Sequence, residues 1–182
     1  LNGKGQFAKG YADYFGGGSE VDVAAMTYFK LVNLLTHDLV TPPLLTIAEE
    51  HSGMPGLCAP VVQLGIGFDY RLAMGPPPVW ERICSILSTK VGTASDCTRM
   101  VDVDVIELAT ELCKKRSEER RIAYTENHDG SLVGGQSLAF RLMGSDMYEH
   151  MSILTAATEV VLRGMAMHKM SRLLAYSLGG EA

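Results

Sequence analysis

Two groups of acidic residues follow apolar runs and are candidates for acid–base chemistry. Glu49 and Glu50 come directly after the apolar residues 44–48, and Asp129 follows a second run at residues 121–125. If both runs are parallel strands of a barrel, their ends open on one face and bring these side chains to one substrate. Paired carboxylates of this kind are typical of glycosyl chemistry. Acids after strands are equally typical of helix N-caps and loop ion pairs, so the spacing alone leaves both interpretations open.

The pattern around these acids predicts strands that alternate with helices. Short apolar runs at residues 44–48, 64–71 and 121–125 are typical of buried parallel strands, and polar residues close each run. Helical spacing of apolar residues predicts helices at residues 22–39, 103–115, 137–143, 146–151 and 156–177, with a further helix that begins at the prolines 76–78. This order indicates parallel βα units and an α/β fold. Three strands cannot close an eight-stranded barrel, which takes about 250 residues, so only part of one barrel is predicted.

Composition indicates an ordinary globular protein and argues against several functions. Of the 182 residues, 47% are apolar and 20% are charged, and the formal net charge is -5, which favours neither disorder nor nucleic-acid binding. The four cysteines form no CxxC pair and no histidine lies at metal-ligand spacing from them, so we expect no metal site, no disulfide framework and a reducing compartment. No apolar run approaches the roughly 20 residues of a membrane span. We therefore expect no nucleic-acid partner and no membrane partner.

Three longer motifs resemble segments of one enzyme family. Three motifs are similar to sequence motifs of the eukaryotic glycogen and starch branching enzymes: residues 48–58 (AEEHSGMPGLC), 67–74 (GFDYRLAM) and 122–129 (IAYTENHD). Shorter similar words lie towards both ends, at residues 11–15, 21–23, 163–164, 168–170 and 178–181. Matches in the same order over nearly the whole chain argue against coincidence. The sequence thus resembles the branching enzymes, which belong to the α-amylase superfamily, glycoside hydrolase family 13.

The resemblance implies a fold, a reaction and a substrate. Residues 1–182 would be the central part of a catalytic (β/α)8 barrel domain, truncated at both ends, with roughly strands 5 to 7 of that barrel. The family cleaves an α-1,4 bond of an α-glucan, such as glycogen, amylose or amylopectin, and transfers the chain to a 6-hydroxyl with retention. The resemblance implies no metal and no organic cofactor. It implies a cytoplasmic location, or a plastid in an organism that makes starch.

The resemblance also assigns catalytic roles. Glu49 would be the general acid/base, Asp129 would stabilise the transition state, and His128 would donate a hydrogen bond to the same sugar. The family's nucleophile is the aspartate of an Arg-x-Asp-Gly motif, which does not occur in this sequence. We therefore expect the chain alone to be inactive. An amylase or debranching enzyme, or a glucan-binding protein without catalysis, are the alternatives.

Other candidate substrate contacts rest on weaker signals. Asp69 and Arg71, near the end of the second predicted strand, are candidates for substrate binding, with a structural ion pair as an equal alternative. Tyr14 is a candidate for stacking on glucan. His37 and His168 lie among apolar neighbours on predicted helices, so we expect packed or surface histidines there.

Two residues near the candidate acids depart from the family's words. Glu50 stands where the family has Asp, and strand alternation points it away from Glu49, which predicts a supporting or ion-pair role. Gly130 stands where the family has Gln, directly after Asp129, so the geometry for the acceptor sugar is expected to differ.

Overall fold

The computed structural model describes residues 21–90, 103–132 and 135–180, except for the side chains of residues 89 and 90. Tyr14 and the loop predicted over residues 1–20 lie outside these ranges. The chain divides into two compact units. The first holds the described residues up to Leu72 together with Lys115–Ile122, and the second holds Ala73–Lys114 and the described residues from Ala123 onward.

The first unit contains a small parallel sheet. Its elements in chain order are α1 (Val23–Asp38), β1 (Ile47–Ala48), a 3-10 helix (Val61–Gln63), β2 (Tyr70–Leu72) and β3 (Arg121–Ile122). The strand order is β1-β2-β3, and both pairings are parallel. Ala48 is in register with Arg71, which is in register with Arg121 on its other side. The predicted α/β class with parallel strands is therefore confirmed for this small sheet.

The second strand is shorter than the sequence predicts, and it begins later. Residues 64–71 were expected to be extended, but Leu64 has φ 67° and Gly67 has φ 90°, both in the left-handed region. A Cβ on Gly65 would lie 1.9 Å from the carbonyl oxygen of Ala59, so this glycine permits close approach of two loop segments. The strand is confined to Tyr70–Leu72, and Asp69 precedes it. The expectation that Asp69 lies near the end of a strand is wrong.

The apolar face of α1 packs on the loops around β1. Ala48, Met54, Leu57 and Ile66 form the buried core of this unit, and Met26, Phe29 and Phe68 pack against it. Asn33 on α1 is fully buried and its Nδ2 donates to the carbonyl oxygen of Ile66 at 2.9 Å. This bond gives a buried amide a partner and ties α1 to the loop before β2.

The second unit is helical. It contains α2 (Pro76–Lys90), α3 (Val105–Cys113), α4 (His128–Leu132), α5 (Leu138–Met143), α6 (Asp146–Glu149) and α7 (Glu159–Leu178). Polar side chains cap α3, α5 and α7: Asp104 accepts from Glu107 N at 2.8 Å, Ser137 from Phe140 N at 3.3 Å, and Thr158 from Val161 N at 3.2 Å. The predicted helices at residues 103–115, 137–143 and 156–177 match α3, α5 and α7 within a few residues. Helix α4 was not predicted.

One apolar core holds the helices of the second unit. Trp80, Ile83 and Cys84 on α2 pack with Leu108 and Leu112 on α3, and the cluster is completed by Val79, Ala123, Leu138 and Ala175.

Cys58, Cys84 and Cys113 are free thiols in the described part of the chain. Within that part, no helix combines the length and the apolar character needed to cross a membrane.

Candidate active site

Glu49 and Glu50 follow β1 and have different surroundings. Glu49 is exposed, whereas the side chain of Glu50 is only 9% exposed. One oxygen of Glu50 accepts from Ser52 N at 2.9 Å and the other from Met54 N at 3.2 Å. Alternation beyond the strand therefore separates the two acids as the sequence predicts, with Glu49 at the surface and Glu50 directed into the protein.

Arg71 joins Glu50 to Glu119 in a largely buried network. Its Nη1 lies 2.8 Å from Glu119 Oε1 and its Nη2 lies 3.3 Å from Glu50 Oε2. The same guanidinium donates to the carbonyl oxygens of Met54 at 3.1 Å and Glu50 at 3.2 Å. The side chains of Arg71 and Glu119 are 11% and 12% exposed. The ion-pair role predicted for Glu50 is confirmed, and the ion-pair alternative for Arg71 describes what its side chain does in the structure.

Asp69 directly precedes β2 and contacts Thr46 and His37. Its Oδ2 accepts from Thr46 N at 2.8 Å and lies 2.9 Å from Nε2 of His37. Partial burial raises the pKa of the Asp69 carboxyl, but the hydrogen bonds from Thr46 and the contact with His37 outweigh it and hold the pKa below its ordinary value. His37 therefore has a carboxylate partner. The sequence analysis expected only a packed or surface histidine there and did not predict this contact.

His128 and Asp129 open helix α4 in the second unit. His128 Nε2 lies 3.3 Å from Asp129 Oδ1, and the two side chains are 61% and 46% exposed. Asn127 precedes the helix, and its Oδ1 accepts from Gly130 N at 3.2 Å, which is the geometry of an N-cap. The cap of α4 is thus made by Asn127 and not by Asp129. The two predicted site residues lie together at the surface.

The structure brings some of the predicted site residues together. Arg71 shares one network with Glu50, and His128 lies beside Asp129. Glu49 belongs to the first unit and Asp129 to the second, so their convergence on one substrate stays a prediction. Tyr14 is not among the described residues.

Two further acids have roles that the sequence analysis missed. Glu119 pairs with Arg71, and Glu126 accepts hydrogen bonds from two residues of α7 and from one backbone amide. Their positions offered a signal, because Glu119 closely precedes the third predicted strand and Glu126 stands inside the motif that contains Asp129.

Comparison with known proteins identifies homologues of this chain. A 1,4-alpha-glucan-branching enzyme of Rhizophagus irregularis is 44% identical over 175 residues, which are 96% of this chain and 24% of that enzyme. The chain is a homologue of the 1,4-alpha-glucan-branching enzymes. Branching enzymes of Equus caballus (44% identical over 175 residues, 96% of this chain and 23% of the enzyme) and Felis catus (43% over 181 residues, 99% and 24%) match equally well. The resemblance inferred from the motifs is confirmed.

The matches cover very different shares of this chain and of its relatives. Nearly all of this chain is aligned, but the chain spans only about a quarter of the length of the curated branching enzymes it matches. No protein-family model matches the chain.

Proposed function

We propose that this chain is part of a longer 1,4-alpha-glucan-branching enzyme, called the parent protein below. The observation that carries the proposal is the identity of 43–44% with branching enzymes over at least 96% of the chain. The candidate acid/base Glu49 and the pair His128 and Asp129 lie inside the motifs that resemble this family. Glu49 and His128 are exposed and Asp129 is partly exposed, which leaves them accessible to a substrate.

We propose that β1, β2 and β3 are strands 5 to 7 of a (β/α)8 barrel, with residues 1–182 as the central part of that domain. Three parallel strands in chain order support this assignment, because such a sheet is what successive βα units of a barrel contain. Large apolar side chains on the helices also support it. Tyr28 and Leu31 on α1 are 62% and 55% exposed, and Leu173 and Tyr176 on α7 are both 65% exposed. The remaining polypeptide of the parent protein would cover these faces.

In the proposed reaction, Glu49 protonates the oxygen of an α-1,4 bond while a nucleophilic aspartate from elsewhere in the parent protein attacks the sugar. A covalent glycosyl-enzyme forms, and the shortened glucan leaves. Glu49 then takes the proton from a 6-hydroxyl of a glucan segment as that oxygen attacks the bound sugar and displaces the aspartate, which gives an α-1,6 branch with retention. The exposed position of Glu49 after a parallel strand suits both proton transfers.

Asp129 would stabilise the oxocarbenium-like transition state through the sugar hydroxyls, and His128 would donate to the same sugar. Their mutual contact at 3.3 Å supports a shared role. Asp69, Arg71 and Tyr14 stay predictions as substrate contacts. The bonds of Asp69 to Thr46 and of Arg71 to Glu119 favour structural roles for these two.

The proposed substrate is a linear α-glucan, such as amylose or the outer chains of glycogen or amylopectin. No metal or organic cofactor enters this mechanism. A cytoplasmic location, or a plastid in an organism that makes starch, goes with this substrate. Nucleic acid and membrane are not proposed as partners.

The test is a branching assay on the purified parent protein with linear amylose, in which the α-1,6 linkages formed are counted by proton NMR. We expect new α-1,6 linkages, and a loss of about 10³-fold or more in the Glu49→Gln and Asp129→Asn variants. Glu118→Gln removes an exposed acid of the first unit and is expected to leave turnover unchanged.

Three outcomes would overturn the proposal. Shortened chains without α-1,6 linkages would identify a hydrolase. With amylopectin as the substrate, loss of its α-1,6 linkages without formation of α-1,4 bonds would identify a debranching enzyme. Glucan binding without turnover, unaffected by Glu49→Gln, would identify a binding protein. The 182-residue chain by itself is expected to be inactive because it lacks an Arg-x-Asp-Gly word.

A further inference from the structure

Glu126 lies three residues before Asp129 in the sequence. The short segment from Glu126 to Asp129 leads directly into α4, whose first two residues are His128 and Asp129. These side chains are 61% and 46% exposed, so the surroundings of Glu126 bear directly on where they are held.

The carboxylate of Glu126 receives three hydrogen bonds from two other helices. Its Oε1 lies 2.8 Å from Nη2 of Arg172 and 3.2 Å from Nε2 of His168, both on α7. Its Oε2 accepts from the backbone N–H of Leu138, the first residue of α5, at 2.8 Å. The Glu126 side chain is 21% exposed, so these charge-assisted bonds are partly shielded from water.

The groups that hold Glu126 belong to well-packed parts of the second unit. Leu138 is 1% exposed within the main core, and α7 buries Ser171 at 2% and Ala175 at 4%. The helices that carry these groups are therefore held in place by packing. The backbone N–H of Leu138 is one of the amides that α5 leaves without a partner inside the helix, and Glu126 satisfies it.

We infer that Glu126 is a positioning residue: it fastens the segment that carries His128 and Asp129 to α5 and α7. This role rests on the proposed function, in which those two residues contact the sugar. Glu126 itself has its acceptor atoms occupied by Arg172, His168 and Leu138, so it acts through the segment and not on the substrate.

Replacing Glu126 with glutamine tests this role, because the two side chains have almost the same shape but glutamine has a donor NH2 in place of one acceptor oxygen. If the amide nitrogen takes the place of Oε2, two donors face each other at Leu138 N. If it takes the place of Oε1, it faces Arg172, which has only donors. Neither orientation of the introduced amide satisfies all of its neighbours, so we expect Glu126→Gln to release the segment.

The experiment compares variants of the parent protein in the branching assay and in hydrogen–deuterium exchange of the peptide that spans residues 126–132. We expect Glu126→Gln to lower kcat by about 10²-fold, because a displacement of about 1 Å has that effect, with a much smaller change in KM. Exchange in the peptide is expected to accelerate, while exchange in the core of α2 stays as in the wild type. A residue with only a general structural role would lower Tm without this split between kcat and KM.

A second variant guards against failure to fold. Arg172→Gln removes one of the three donors at a side chain that is 44% exposed, and a smaller fall in kcat with faster exchange at residues 126–132 is expected. Matched controls are Glu149→Gln, whose side chain is 78% exposed, and Arg163→Gln, a partly exposed arginine of α7 whose Nε donates to the carbonyl oxygen of Glu159. Both controls are expected to keep kcat within about twofold.

The outcomes separate the two proposals. If the wild-type parent protein forms α-1,6 linkages and Glu126→Gln keeps kcat within about twofold, the inference about Glu126 is overturned and the function stands. Unchanged exchange at residues 126–132 also overturns it. If the wild-type parent protein forms no α-1,6 linkages, the proposed function fails, and the exchange result alone decides whether Glu126 holds the segment.

Discussion

The Oε1 atom of Glu81 lies 2.8 Å from the point where a Cβ atom on Gly130 would stand. The other carboxylate oxygen of Glu81 lies 3.3 Å from Nη2 of Arg141. A carboxylate on α2 thus fills the space beside the residue that follows Asp129, where the branching-enzyme words have Gln. This contact gives the departure at Gly130 a physical reason, since any side chain there competes with Glu81 for space.

Gly130→Gln is expected to displace the Glu81 carboxylate and weaken its pair with Arg141. The ion pair is partly exposed, so its loss is worth about 0.5–1 kcal/mol, while replacing Gly within α4 recovers a similar amount of helix propensity. The single variant therefore reveals little by itself. A double-mutant cycle with Glu81→Ala in urea unfolding of the 182-residue chain is expected to give a coupling energy of about 0.5 kcal/mol or more. Additive effects would contradict the predicted competition.

The network around Arg71 is expected to contribute strongly to stability. Arg71→Met would leave the carboxylates of Glu50 and Glu119 largely buried without their shared partner, and we expect a loss of about 3–5 kcal/mol in the free energy of unfolding. Arg71→Lys should lower the free energy of unfolding by less, because it keeps the positive charge. Some loss is still expected, since lysine cannot donate from two nitrogens to the two carboxylates.

A matched control for Arg71 is Arg82→Gln. Arg82 pairs with Glu107, and the two side chains are 50% and 42% exposed. Its loss is expected to change the free energy of unfolding by less than about 1 kcal/mol. Equal losses for Arg71→Met and Arg82→Gln in urea unfolding would show that burial of the network does not matter.

Asp69 is expected to make stability depend on pH in the acid range. Its pKa is lowered in the folded protein from the ordinary 3.8, so the charged form is favoured on folding. The stabilisation is present above pH 3.8 and is lost as the pH falls through the lower folded pKa. Asp69→Asn should therefore cost about 1–2 kcal/mol at pH 6, and the difference from the wild type should shrink below pH 3.8.

The exposed Asp38 at the end of α1 provides the control for Asp69. Asp38→Asn should show no comparable loss at pH 6. Urea unfolding at several pH values measures both variants. A difference between Asp69→Asn and wild type that stays constant from pH 6 to pH 2.5 would contradict the assignment to the Asp69 charge.

The partly buried Cys58 and the buried Cys84 are expected to react slowly with alkylating reagents. Burial, with a smaller contribution from Glu119, raises the pKa of Cys58 to about 11, and burial raises the pKa of Cys84 to about 11 against the opposing effect of Arg141. At pH 8 only about 0.1% of such a thiol is thiolate, so alkylation should be slow and should rise about tenfold per pH unit.

Iodoacetamide labelling followed by mass spectrometry measures these rates in a Cys97→Ser background. Cys113, which is exposed, should be modified first, and Cys113→Ser should remove the fast phase. Modification of Cys84 at the rate of Cys113 in the folded protein would contradict the predicted burial effect.

The secondary structure shows where local patterns are sufficient and where they are not. The long helices α1 and α7 follow directly from apolar spacing and capping residues such as Asp22, which accepts from Ala25 N at 2.9 Å. The second strand was misplaced because apolar residues such as Leu64 suggested an extended run. Its turn depends on the close approach of Gly65 to Ala59, which is not visible in the order of residues.

The sequence by itself predicted the resemblance to branching enzymes, the α/β class and the candidate acids, because these depend on residue identity and on spacing along the chain. It also predicted opposite surroundings for Glu49 and Glu50, since alternation is a local property. Only the tertiary structure decided which charges are paired. Arg71 lies 48 residues from Glu119, and Glu126 lies 42 residues from His168, so folding alone brings each pair together. Buried and partly buried charges take the partners that packing offers them, and those partners are set by contacts between elements distant in sequence.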